Sequence, residues 1–316
     1  MRIIKTLLTG AVAALVAASG TVLAQAYPAK PIAFLVNLPG GAPEAIERAI
    51  LDKVRENTGA TLLYEARPGA GGAVGLQAAK AAAPDGYTFS LAYASSVNLN
   101  PLINKSINID PLKDFVPVTN IMSLGVVLAA REDLPAKDIR DLVAMAKARP
   151  GTVRIGILGA GNKSWMAMLE ERTGARFLQV PFKSTGELVT ATLGGHLDSH
   201  FDTVGTVLAQ GGKLKALSYG GTAPSPQVPA APLVRDLYQF DMLTWFGVLA
   251  PAGTPPSAVA WVAREIGRAV KDPRIAQMIE SNGLAPVGNS PEEFGRALRS
   301  EVEQNAEIVR KYPDIR

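Results

Sequence analysis

His196, Asp198, His200 and Asp202 alternate along one short segment. In a strand that spacing puts all four side chains on one face, and two imidazoles with two carboxylates form a donor set that could hold a metal. The same spacing also spreads them along the strand instead of converging on a point, and His196 falls at the Gly194-Gly195 turn. The reading adopted is that the chain holds no metal and that Asp202, at the strand's end, contacts a ligand. No nucleophile set accompanies it. Cysteine is absent, no Gly-x-Ser-x-Gly elbow occurs, both histidines lie in that one segment, and the acids are scattered. Catalytic residues, cofactors and enzymatic turnover are therefore not expected.

Three glycine-rich loops offer a different chemistry. Leu38-Pro39-Gly40-Gly41-Ala42 stands between an apolar run and a helical stripe. Glycines there let the backbone approach a ligand, and free N–H groups at a helix start favour an anion. A tight turn with no ligand fits the same residues, and local spacing leaves both open. Gly159-Ala160-Gly161-Asn162-Lys163-Ser164 has the look of a phosphate loop, but Asn162 replaces the required glycine; in Gly69-Ala70-Gly71-Gly72-Ala73-Val74, Val74 replaces the third glycine of a dinucleotide fingerprint. Nucleotide binding is weakly supported. Trp165 and Trp245 line a cleft or pack in a core.

The elements that carry these loops alternate in type. Residues 32–36, 61–64 and 87–93 read as strands. Between them come a helix with Ile46, Ile50 and Val54 on one face and an alanine-rich helix ending near Pro84. This β-α-β-α-β order predicts a parallel sheet covered by helices. A second such unit has strands at 153–157, 177–180, 197–201 and 214–219, then a four-proline connection over 222–232. Residues 116–130 and 243–250 are long apolar segments that read as two crossings between lobes. Ser290-Pro291-Glu292-Glu293 opens the last helix with a capping box. The expected fold class is α/β, with two parallel-rich sheets joined by two hinge crossings and a ligand cleft between lobes. Residues 27–125 and 246–316 form lobe 1, and 126–245 form lobe 2. Loops after Val36, Tyr93, Ile157 and Phe201 face the cleft, outside the carboxyl ends of the strands.

Composition bounds where this works. Arg2 and Lys5 precede an apolar run from Leu7 to Ala18, and Ala24-Gln25-Ala26 supplies small residues for cleavage before Tyr27. Residues 1–26 therefore read as a secretory signal peptide, the run being short for a bilayer span of about 20 residues. Without cysteine the exported protein uses neither disulfides nor a lipid anchor, and its stability must come from its core. The formal charge of +4 loses Arg2 and Lys5 on cleavage, and no basic run interleaved with aromatics exists, which excludes nucleic acid as a partner.

Ordered segments carry a family resemblance. Tyr27-Pro28-Ala29-Lys30-Pro31-Ile32, Pro39-Gly40-Gly41, Arg67-Pro68-Gly69-Ala70-Gly71-Gly72 and Pro84-Asp85-Gly86-Tyr87-Thr88 are followed by Asn100-Pro101 and Asp114-Phe115-Val116-Pro117-Val118. Val180-Pro181-Phe182-Lys183 and Leu249-Ala250-Pro251-Ala252-Gly253-Thr254-Pro255 complete the series. The chain resembles the TctC or Bug-type solute receptors of tripartite tricarboxylate transporters. The resemblance implies a two-lobed, type II-like periplasmic binding protein fold. It also implies a monomer that captures a small organic carboxylate and hands it to the membrane subunits of a tripartite transporter. By position it implies ligand contacts from Asn37, Pro39, Gly40, Gly41 and Ala42, and from Ala94, Ser95, Ser96 and Asn98. From the other lobe it implies Gly161, Asn162, Lys163, Ser164 and Trp165, with Asp202 and Thr203. Backbone N–H groups and ordered waters would hold the carboxylate. The chain departs from the family at Asn37-Leu38, Glu44, Ser96-Val97 and Lys163-Ser164-Trp165. Lys163 is either a partner for a second carboxylate or a solvated loop lysine. An enzyme on the same scaffold, a hydrolase or lyase, and a sensory module for a membrane kinase are the rival readings.

Overall fold

A computed structural model of the chain describes residues 27–312 other than Leu38, Gly40 and Lys183. The candidate signal sequence, residues 1–26, lies outside the described residues. Strand β1 (Ile32–Val36) is an apolar run buried from both faces and leads into α1 (Gly41–Thr58). Ile46, Ile50 and Val54 of α1 are buried against the sheet, and Gly59, at φ +71°, ends the helix in the left-handed region that glycine tolerates. Strand β2 (Leu62–Ala66) pairs in parallel on one side of β1, and β3 (Thr88–Tyr93) pairs in parallel on the other. A 3-10 turn (Ala70–Gly72) and α2 (Ala73–Lys80) connect them. Short helices α3 (Ala94–Asn98) and α4 (Asn100–Ile103) follow β3 directly.

Strand β4 (Phe115–Arg131) then runs for 17 residues through both halves of the molecule. The second half adds α5 (Ile139–Ala148), β5 (Arg154–Ile157), α6 (Gly159–Thr173), β6 (Leu178–Pro181) and α7 (Thr185–Leu193). It continues with β7 (Ser199–Thr203), α8 (Val204–Ala209), β8 (Leu214–Tyr219) and α9 (Val234–Tyr238). Strand β9 (Leu243–Pro251) returns to the first half, followed by α10 (Pro256–Val270), α11 (Pro273–Ser281), β10 (Ala285–Pro286) and α12 (Pro291–Lys311).

The expectation of two parallel-rich sheets needs one correction. The strands form a single mixed sheet in the order β2-β1-β3-β9-β4-β7-β5-β6, with β8 and β10 also on β4. The two crossings are themselves strands, and they pair antiparallel with each other from Phe115↔Pro251 to Gly125↔Leu243. Beyond Gly125 the same strand β4 turns to β7 and β8. A run of 17 residues reaches roughly 55 Å when extended, enough to serve both halves. Parallel pairing survives on the flanks, in β2-β1-β3 and in β6-β5-β7.

Each lobe has its own core. Phe34, Ile50, Phe89, Val248 and Ile266 pack in the first, and Leu128, Leu142, Ile155, Met166 and Leu217 in the second. Helix α12 begins with the expected capping box, Ser290 Oγ accepting from Glu293 N while Glu293 Oε2 accepts from Ser290 N. Its Phe294 sits edge-on to Trp245, 4.9 Å between ring centres, in a first-lobe cluster. Its far end crosses to the second lobe, where Ile308 packs with Ala167, Tyr312 Oη donates to Glu171 Oε2 at 3.1 Å, and Lys311 pairs with Glu171. Among the described residues no helix is long and apolar enough to cross a membrane.

Candidate functional site

A cleft of about 870 Å³ opens between the lobes. Tyr93, Ala94, Ser95 and Asn98 bound it on the first-lobe side, directly after β3. Gly159, Gly161, Asn162, Ser164 and Trp165 face it from the start of α6, after β5. Phe201, Asp202 and Thr203 close it at the end of β7. These are the carboxyl ends of parallel strands, where side chains and free helix amides emerge from a sheet of this kind.

Helix α6 has no side-chain cap on its first turn, and its first turn carries no acid. Asn162 Oδ1 instead turns back to accept from Leu158 N at 2.8 Å. The N–H groups of residues 159–161 are thus left without partners inside the helix, at its positive end. Ser164 is 3% exposed, and its Oγ has no hydrogen-bond partner although it borders the cleft. A buried hydroxyl in that state lacks a bond worth about 1 kcal/mol or more, which a bound oxygen would supply.

Asp202 is held rigidly. Its Oδ2 lies 3.1 Å from His200 Nε2, and its Oδ1 accepts from Thr203 N at 2.6 Å. His200 is fully buried, with Nδ1 2.7 Å from Thr192 Oγ1. Only His200 and Asp202 of the four alternating residues share the strand face. His196 and Asp198 precede β7, and Asp198 Oδ1 accepts from Arg154 Nη2 at 2.9 Å. Thr203 Oγ1 caps α8 by accepting from Thr206 N at 3.1 Å.

Other predicted contacts serve different neighbours. Asn37 and Ser96 are buried behind the cleft wall, where Asn37 Nδ2 donates to Ser96 Oγ at 2.8 Å and Ser96 Oγ donates to Tyr93 O at 2.6 Å. They brace the loop after β1 against α3. Pro39 and Lys163 are not among the residues bordering the cleft. Gly40 lies outside the described residues, and Gly41 and Ala42 form the backbone start of α1. Trp165 stacks obliquely on Phe201, 5.8 Å between centres, and borders the cleft, whereas Trp245 is buried.

Sequence reasoning missed the contribution of α12. Glu301 borders the cleft, and its Oε2 accepts from both Asn98 Nδ2 and Trp245 Nε1 at 2.7 Å. Burial pushes its carboxyl above the usual range, the two donors pull the other way, and the charge of Asp241 adds to the rise. Burial also raises Asp241, against the guanidinium of Arg235. The signal was present in the pattern: Glu301 interrupts the stripe of Phe294, Leu298 and Ile308 that buries α12. Among the described residues bordering the cleft there is no lysine or arginine.

Residues 46–313 match the family described as tripartite tricarboxylate transporter family receptor, TctC. The chain is 30% identical to Protein BugT of Bordetella pertussis over 298 residues, covering 92% of this chain and 91% of that protein. A structure described as a periplasmic transporter is 32% identical, with a TM-score of 0.73 over 90% of this chain and 98% of that one. MatC from Rhodopseudomonas palustris with bound malate shares the fold at 24% identity, with a TM-score of 0.72 over 90% of this chain and all of that one. With most of its length matched and both lobes shared, the chain belongs to the TctC family of solute-binding receptors.

Proposed function

We propose that this receptor works outside the cytoplasm, after loss of residues 1–26. There it captures a small organic carboxylate in the cleft between its lobes, 27–125 with 246–316 and 126–245, and delivers it to the membrane subunits of a tripartite transporter. The observation that carries the reading is the uncapped start of α6, with the buried, unpartnered Ser164 Oγ beside it and Ala94 and Ser95 facing the same space. Neutral donors gathered at a helix N-terminus suit an acid group without the expense of burying a fixed cation. Malate bound in MatC, on the same fold, is compatible with it. Closure of the lobes would present a new surface to the transporter. The protein acts as a monomer, without metal or cofactor.

A thermal-shift screen across organic acids tests this. An acid supplied at about 100 times its dissociation constant should stabilise the protein by about 2.7 kcal/mol. A receptor that responds to sugars or metal ions and to no acid would overturn the proposal.

A further inference from the structure

The lining of the cleft mixes donors with acids. The donors are the free amides of α6 and Ser164 Oγ, buried and without a partner. The acids are Asp202, at the end of β7, and Glu301 and Asp241, from α12 and the segment before β9. Both donors to Glu301 converge on Oε2, and among the described residues Oε1 has no bonded partner. Asp241 is matched by Arg235, whose Nε lies 3.0 Å from Oδ1, and Asp202 is held by His200. Glu301 has no lysine or arginine partner, and neither residue type borders the cleft among the described residues. Five aromatic rings line the same cavity: Tyr93, Trp165, Phe201, Phe240 and Phe246.

A carboxylate at the rim of a cavity that must receive an anion is repulsive unless something positive lies between them. Aromatic faces attract cations, most strongly where water is excluded. We propose that the ligand carries, besides its acid group, a positively charged nitrogen that seats against Glu301 among these aromatic rings. The ligand class is then a zwitterion, an amine- or quaternary-ammonium-bearing carboxylate, and Glu301 selects for it. This rests on the carboxylate-capture reading above and narrows it.

Isosteric pairs test it by titration calorimetry on the exported protein. 4-Trimethylammoniobutyrate against 5,5-dimethylhexanoate, and 4-aminobutyrate against pentanoate, differ in charge and hardly in shape. The charged member should bind at least about tenfold tighter. Glu301→Gln should abolish that preference, weakening the charged member and tightening the uncharged one as the repulsion is removed, and Glu301→Asp should restore part of it. A brace for Asn98 and Trp245 alone would change both members equally. If Glu301→Gln does not fold, the wild-type comparison decides by itself. Equal or tighter binding of the uncharged acids, or failure of all four acids to bind, overturns the zwitterion inference; carboxylate capture falls only if no acid of the thermal-shift screen binds either.

Discussion

Glu47 should make this receptor lose stability as pH rises. It lies on the buried face of α1, 4% exposed, with Tyr64 Oη donating to its Oε2 at 3.2 Å. Burial pushes its carboxyl up from 4.5 to about 8, with Glu44 adding to the rise and the Tyr64 bond and Arg48 opposing it. The folded protein therefore holds this proton more tightly than the unfolded chain does. The resulting stability is fully present below the unfolded value of 4.5 and is lost as pH climbs through about 8. At 1.36 kcal/mol per pKa step the whole effect is roughly 5 kcal/mol, of which about 4 kcal/mol falls between about pH 5 and pH 9. For a chain of this size that corresponds to about 8 °C in Tm. Glu47→Gln keeps the shape and the bond from Tyr64 and removes the titration. Thermal unfolding of wild type and variant across that pH range isolates Glu47 from every other group. Wild type should fall relative to the variant by several degrees, with the steepest loss near about pH 6, midway between the unfolded and folded values, and a levelling above about pH 8. Curves that stay parallel would refute a buried, proton-binding Glu47.

Two further outcomes follow from the geometry. Gly247→Ala places a Cβ 2.8 Å from Phe294 Cζ and 3.0 Å from Thr119 O, so it should destabilise by about 1–3 kcal/mol in urea unfolding; an unchanged midpoint would contradict the packing of α12 on β9. Asp202→Ala should weaken acid binding in calorimetry and also cost about 1–3 kcal/mol of stability, because it strands the fully buried His200 Nε2; unchanged affinity would remove Asp202 from the ligand contacts.

What sequence reading could see was local. The apolar run of β1, the α1 stripe of Ile46, Ile50 and Val54, and the Ser290 capping box depend on residues a few positions apart, and periodicity exposes them. The two long apolar segments were recognisable as candidate crossings by their length and lack of charge, although Thr119, Asn120, Ser123 and Thr244 interrupt them. Their mutual antiparallel pairing was not recognisable, since Gly125↔Leu243 is a contact between residues over a hundred positions apart. The same limit hid Glu301, whose partner Asn98 is 203 positions away. Its one visible trace was an acid within an apolar stripe. Asn37 and Ser96 show the converse: both belong to loops that resemble ligand loops, yet their polar atoms satisfy each other behind the wall. Type and position announce a polar loop residue, but the direction of its side chain is decided by the tertiary neighbours it meets.

A crystal structure of the exported protein with the tightest-binding acid from the screen measures the main point most directly. The acid oxygens should lie within about 3 Å of Ser164 Oγ and the first-turn amides of α6, with Ala94 and Ser95 across from them. A ligand seated outside this cleft, with Ser164 Oγ still unpartnered, would contradict it.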